Sequence, residues 1–354
     1  MSDSLSDGPS ASPIPIANLY YILCYAWDLA QVRGVARVRP GARFEYPELL
    51  ATILLDAARA IARQGWATGY VERSQTLRAP RGRLELAPTV GRALRASAQV
   101  QCAVDELTAD ILPNQLIKAA ARALLRQRLP SPQLVRELEL LGRQLHSVSD
   151  VRLDLALFPR AAQVTSSRQL YRMALSACEL VARGALAEPD AGGMTFGGLL
   201  RDERLMARIF ERFVRFFLAS EQRRFHVKSE RIVWDALPLD DASRRHLPTM
   251  KTDVSLRSPT HTIILDTKYY AEALTTHYTA RRVRSEHLYQ LYAYLKNLEP
   301  RGGPDRHARG VLLYPCVGES LRLGYELPGH AVEIRTLDLA APWPQIHAAL
   351  LALL

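Results

Sequence analysis

The sequence is poor in lysine. Only five of its 46 lysine and arginine residues are lysine: Lys118, Lys228, Lys251, Lys268 and Lys296. Arginine keeps its charge and planar fork everywhere, whereas lysine is a compact charge whose pKa can be lowered. Each lysine of such a chain is therefore a candidate for a place where arginine would not serve. Cysteine is scarce as well. Cys24, Cys102, Cys178 and Cys316 are scattered and form no C-x-x-C, which excludes a closely spaced zinc framework or a disulfide scaffold and suits a reducing compartment. No apolar run approaches the roughly 18 residues of a membrane helix. The opening "MSDSLSDGPSASP" has neither the positive start nor the apolar stretch of a secretory signal. There is no Gly-Lys dipeptide, so no phosphate loop, and neither H-E-x-x-H nor G-x-S-x-G is present. The expectation is a soluble cytoplasmic protein with no membrane partner.

What is present is an ordinary core and an excess of positive charge. The 354 residues are 48% hydrophobic and 23% charged, enough for two domains. The net charge of +10 favours a polyanionic partner, nucleic acid before a membrane surface. Residues 1–13 read as a disordered tail. A first helix, apolar on almost every face, is expected over 14–30 and a second over 46–65. Two strand-like pieces within 66–88 flank Ala79-Pro80-Arg81-Gly82, the pattern of a hairpin turn. A helix within 105–129 carries Lys118, Arg122 and Arg126 in a stripe read as a solvated face. Helices at 131–145 and 167–186 precede a Gly/Pro-rich loop at 187–198. From 201 onward the order is α-β-β-β-α-β, a mixed sheet flanked by helices. The domains are drawn as 14–165 and 166–354.

The chemistry concentrates in "LPTMKTDVSLRSPTHTIILDTKYY", residues 247–270. A strand apolar through Ile263, Ile264 and Leu265 ends on Asp266 and Lys268, although burying a charge is costly unless it is paired or bound to a metal. Strand alternation puts Asp266 and Lys268 on one face, with Thr267 turned away and offering its backbone carbonyl. Asp253 precedes Asp266 by thirteen residues across a short turn, so hairpin pairing can set the two carboxylates side by side. Two carboxylates and a carbonyl make a hard oxygen site suited to Mg²⁺. With an ammonium beside it, such a site can activate water and stabilise charge on a phosphodiester. The alternative is an Asp–Lys pair at a sheet edge. The helix 285–298 adds Gln290 and Tyr294, four apart on one face, either polar neighbours of the core or groups that orient a water or a phosphate.

The segments "IPIANLYYILCYAWD", "DELTADILPNQLIKAAARALL", "LPTMKTDVSLRS", "IILDTKYY", "LYQLYAYL" and "GVLLYP" occur in the order seen in McrC proteins, which this chain resembles from about residue 13 onward. McrC is the nuclease subunit of McrBC modification-dependent restriction systems. The resemblance implies an α/β fold: a mixed helical and β-hairpin N-terminal domain followed by a PD-(D/E)XK-type nuclease core. It maps the catalytic acids and lysine onto Asp253, Asp266 and Lys268, and matches Gln290 and Tyr294 to a Q-x-x-x-Y pattern. Glu211, on the preceding helix where some relatives carry a further acid, reads here as a solvated partner of Arg212 or Arg215. The resemblance also implies Mg²⁺, double-stranded modified DNA such as 5-methylcytosine DNA, and a hexameric McrB-like AAA+ GTPase that the N-terminal domain contacts. The other reading is an adaptor that activates the GTPase or docks DNA without cutting.

Overall fold

The computed structural model describes residues 14–27, 46–86, 99–127, 129–165, 167–187, 202–270, 284–318 and 320–354. The expected tail and nearly all of the loop at 187–198 lie outside the described residues. The chain forms two compact units. One takes described residues 14–27, 46 and 202–354, the other 47–187. The division therefore differs from the one drawn at 165/166. Helix α1 (Ile16–Ala26) belongs with the C-terminal unit, and the helix at 169–187 stays with the other. The reason is visible in α1 itself. Asn18, 5% exposed, donates through Nδ2 to the carbonyls of Leu339 (2.8 Å) and Ala341 (2.9 Å), far along the chain.

In the unit 47–187, α2 (Tyr46–Gln64) leads to β1 (Gly69–Leu77), β2 (Arg83–Leu84) and β3 (Val100–Thr108). Helices α3 (Leu112–Leu125), α4 (Pro132–Gln144), α5 (Phe158–Val164) and α6 (Gln169–Ala187) follow. The expected hairpin is not formed: the sheet order is β1-β3-β2, and β3 pairs antiparallel with both. Gly82 makes that possible. Its φ is +73°, and a Cβ there would lie 2.3 Å from the Ala103 carbonyl oxygen of β3, so any side chain would push the two segments apart. The basic stripe of α3 is partly neutralised, since Lys118 and Arg122 both hold Asp150, at 3.0 and 2.6 Å. Deeper in, Asn114 is fully buried and donates to the carbonyls of Ala67 (2.9 Å) and Ala109 (2.7 Å). Its Oδ1 accepts from the Tyr171 hydroxyl at 2.6 Å, and that hydroxyl accepts from the Ala67 amide at 2.7 Å.

In the other unit, α7 (Glu203–Glu221) is capped by Asp202, whose side chain accepts from the Leu205 amide. It buries Leu205, Met206, Ile209, Phe210, Phe213, Val214, Phe217 and Leu218, a stripe at helical spacing. Then come β4 (His226–Lys228), β5 (Arg231–Ile232), a short helix α8 (Asp241–His246), β6 (Met250–Lys251), β7 (Val254–Arg257) and β8 (Thr262–Thr267). They are followed by α9 (Ser285–Leu298), β9 (Arg309–Cys316), β10 (Arg322–Leu327), β11 (His330–Asp338) and α10 (Trp343–Leu351). Six strands form one mixed sheet in the order β10-β11-β9-β8-β7-β4. The β8–β9 and β9–β11 pairs are parallel and the others antiparallel. The expected α-β-β-β-α-β order is thus present as α7, β4, β7, β8, α9 and β9. All six residues of β8 are buried, as an inner strand covered on both faces requires. Helix α9 comes down close on β9 at Gly310, where a Cβ would lie 2.9 Å from side-chain atoms of both Leu291 and Leu295. That close seat fixes the height at which Gln290 stands over the end of β8.

Candidate active site

The β7–β8 register pairs Val254 with Leu265, which sets Asp253 opposite Asp266 one step beyond the ladder. Asp253 occupies a bend, and its Oδ2 accepts from both the amide and the hydroxyl of Thr267, each at 2.7 Å. Thr267 therefore contributes through its amide and hydroxyl, which point at Asp253, where strand alternation alone points only to its carbonyl. Asp253 Oδ1 has no hydrogen-bond donor among the described residues.

Asp266 is 1% exposed, and neither of its oxygens accepts a hydrogen bond from a described residue. Oδ2 lies 2.8 Å from the Lys268 ammonium, close enough for an ion pair although the angles do not make it a hydrogen bond. Burial pushes the Asp266 carboxyl up to about 7, the charges of Asp253 and Glu211 push the same way, and Lys268 opposes them. The same ammonium also donates to Gln290 Oε1 at 2.8 Å. Gln290 Nε2 in turn donates to the Tyr294 hydroxyl at 2.7 Å, and that hydroxyl donates to the Lys251 carbonyl at 3.0 Å. Lys251 ends β6, two residues before Asp253. Tyr294 is buried in the apolar cluster beneath α9 and meets the site through Gln290 and the Lys251 carbonyl.

Two features escaped the sequence reading. Glu211 does pair with Arg215, at 2.7 Å, while Arg212 turns away to the Ala26 carbonyl. Yet Glu211 is not merely solvated: burial first, and then the charge of Asp253, raise its carboxyl, and its own charge raises Asp266. Arg215 also donates to the Asp253 carbonyl at 3.3 Å. The second is His287, 7% exposed and one turn before Gln290 on α9. Its Nε2 meets the Tyr270 hydroxyl at 2.6 Å and its Nδ1 the Tyr314 hydroxyl at 2.8 Å. Positions 287, 290 and 294 follow the i, i+3, i+7 spacing of one helix face, a pattern that would have pointed to His287.

A divalent cation fits this arrangement. Asp266 offers two buried oxygens that accept no hydrogen bond and Asp253 offers Oδ1, while the Lys268 ammonium is one positive charge beside two facing carboxylates, so burial still favours a further cation. No group of three or more His, Cys, Asp or Glu that could hold a metal occurs among the described residues. A set of two carboxylates matches Mg²⁺, which keeps several waters, better than metals that demand a closed protein cage.

Fold and site together define a mixed-sheet protein whose central strand ends in a facing pair of carboxylates and a lysine. The family model for "McrBC 5-methylcytosine restriction system component" matches residues 15–315, and the chain belongs to that family. It is 27% identical over 338 residues to the "Type IV methyl-directed restriction enzyme EcoKMcrBC" of Escherichia coli (strain K12), covering 96% of each chain. Among solved structures it is similar to a chain of the "half-complex from tetradecameric assembly of Thermococcus gammatolerans McrB AAA+ hexamers with bound McrC". That match has 17% identity and a TM-score of 0.45, and covers 96% of this chain and 76% of the other. A chain of the Thermococcus gammatolerans McrBC complex matches with 18% identity and a TM-score of 0.38 over 60% of each. No described helix is long and apolar enough to cross a membrane.

Proposed function

We propose that this chain is the Mg²⁺-dependent DNA-cleaving subunit of a McrBC-type restriction complex, with a PD-(D/E)XK-type core in its C-terminal unit. The observation that carries the reading is Asp266, a carboxylate buried at a strand end with no hydrogen bond and with a second carboxylate opposite. An adaptor without chemistry has no use for that cost. Asp253 and Asp266 would hold the ion, with the Thr267 carbonyl the third candidate donor. When bound, Mg²⁺ would supply neutralisation of phosphate charge and a water of lowered pKa. The chain's own residues do the rest. Lys268, held between Asp266 and Gln290, presents a fixed positive charge to a phosphodiester. Gln290 orients Lys268, and Tyr294 orients Gln290. Thr267 fixes Asp253, and Glu211 stands behind the pair as a further negative charge.

The substrate is double-stranded DNA carrying a modified base, and the partner is a McrB-like AAA+ GTPase hexamer contacted by the unit 47–187. Family membership supports both, and the net charge of +10 supports the DNA. With no phosphate loop of its own, the chain leaves GTP hydrolysis to the partner and stimulates it. The test is plasmid cleavage by the reconstituted complex. Asp253→Ala and Asp266→Ala each abolish cutting while partner assembly and GTP turnover persist. Normal cutting by both variants would falsify the assignment of the site.

A further inference from the structure

Past Lys268, the segment that carries the carboxylates continues to Tyr270. Its side chain is held from two sides. The hydroxyl meets His287 Nε2 at 2.6 Å with the two rings stacked at an interplanar angle of 23°, and the Arg284 guanidinium lies 4.3 Å from the centre of the Tyr270 ring. His287 is itself clamped, since its Nδ1 meets the Tyr314 hydroxyl of β9 at 2.8 Å. A neutral imidazole has one donor and one acceptor. One tyrosine therefore donates to it and the other accepts, and both rings are locked. Burial of His287, with the Lys268 and Arg284 charges, lowers its pKa, and the Glu286 charge opposes them.

Arg284 is the opposite kind of residue. It is exposed, and no carboxylate lies within ion-pair distance of it among the described residues. Its charge and that of Lys268 converge on His287. A guanidinium seated over the face of a fixed aromatic ring still has N–H donors for a ligand, and that placement suits a phosphate.

We propose that Arg284 and Tyr270 form a second phosphate-contact site of this chain, taking the backbone phosphate next to the one attacked at Asp266 and Lys268. In this arrangement His287 is a positioning residue acting through Tyr270. The proposal rests on the nuclease reading above. It places a DNA strand along the line Asp266, Lys268, Tyr270 and gives the buried His287 a reason to sit between two tyrosines.

The test uses the full chain, with its partner for cleavage and alone for binding to a modified duplex, each variant first checked for an unchanged melting temperature. Arg284→Ala is expected to weaken duplex binding by roughly three- to tenfold, the loss of one charge-assisted contact. It should also make the slope of log K against log salt shallower by about 0.9, the signature of one lost phosphate. In cleavage, KM should rise by more than kcat falls. Tyr270→Ala should behave alike. His287→Ala should reproduce Tyr270→Ala, and the double variant should be no worse than Tyr270→Ala alone, because the histidine acts only through the tyrosine. Unchanged affinity and salt slope in Arg284→Ala and Tyr270→Ala would overturn the site. Additive losses in the double variant would overturn the positioning role, and so would weakened association with the partner in place of weakened DNA binding. Asp253→Ala serves as the reference: if it cuts normally the nuclease reading fails, while the salt slope of Arg284→Ala still reports on the phosphate contact.

Discussion

Two buried polar side chains of this molecule invite comparison. Asn114, in the unit 47–187, is wholly buried and uses every hydrogen-bonding group that it has: two donated bonds to carbonyls and one accepted from Tyr171. Asp266, in the sheet of the other unit, is equally buried and accepts no hydrogen bond at either oxygen. The first is a saturated knot that ties α3, α6 and the approach to β1 together, and its burial is compensated on the spot. The second carries a cost that Lys268 compensates only in part, increased by the charges of Asp253 and Glu211. The difference separates a polar group kept for the fold from one kept for a ligand.

The comparison can be broken by substitution. Asn114→Ala strands two carbonyls and the Tyr171 hydroxyl in the interior, and should cost roughly 3 kcal/mol. A denaturant melt that shows no loss would mean that the knot does not anchor this unit. At the site, the corresponding change should spare stability and remove chemistry. Lys268→Arg keeps the charge and the pairing with Asp266, yet the broad guanidinium cannot occupy the place between Asp266 and Gln290. A displacement on the order of 1 Å costs roughly a hundredfold in rate. Cleavage should fall by about that factor with the melting temperature unchanged, and near wild-type cutting would make Lys268 a structural ion pair. The smallest effect is expected from Tyr294→Phe, which frees Gln290 and releases the Lys251 carbonyl. Cleavage should drop by roughly tenfold through the loosened lysine, with less than about 1.5 kcal/mol lost from stability. A larger stability loss with full activity would reassign Tyr294 to the core alone.

The parts of the fold legible in the sequence are those written in local pattern. The apolar run of β8, the helical period of α9 and the run of β9 are bounded by turn residues, and their limits follow from the sequence closely. The facing of Asp253 and Asp266 was legible too, because an antiparallel register across a short turn leaves little freedom. What stayed hidden depends on distant partners. The strand β3 runs straight into the motif that opens α3, and its place between β1 and β2 is decided by Gly82 meeting Ala103. The membership of α1 in the C-terminal unit rests on Asn18 reaching carbonyls more than three hundred residues away. At the site, alternation turns Thr267 away from Asp266, as expected. It does not reveal that Asp253, one step outside the ladder, bends to take both Thr267 donors. Nor does it show that Gln290 reaches Lys268, since that depends on the close seat of α9 on Gly310.

The Lys268 ammonium compensates the burial of Asp266 only in part until a metal cation arrives, and thermal melting of the wild type and Asp266→Asn tests this most directly. In chelator the asparagine removes a charge whose burial and repulsion by Asp253 and Glu211 outweigh its pairing with Lys268, so Asp266→Asn should melt above the wild type. Millimolar Mg²⁺ should then raise the wild type, because an ion bound only by the folded state stabilises it by mass action, and should leave Asp266→Asn where it was. If Asp266→Asn instead melts below the wild type in chelator, and Mg²⁺ moves both proteins equally, then Asp266 belongs with Asn114 as a structural residue and the account of the site is wrong.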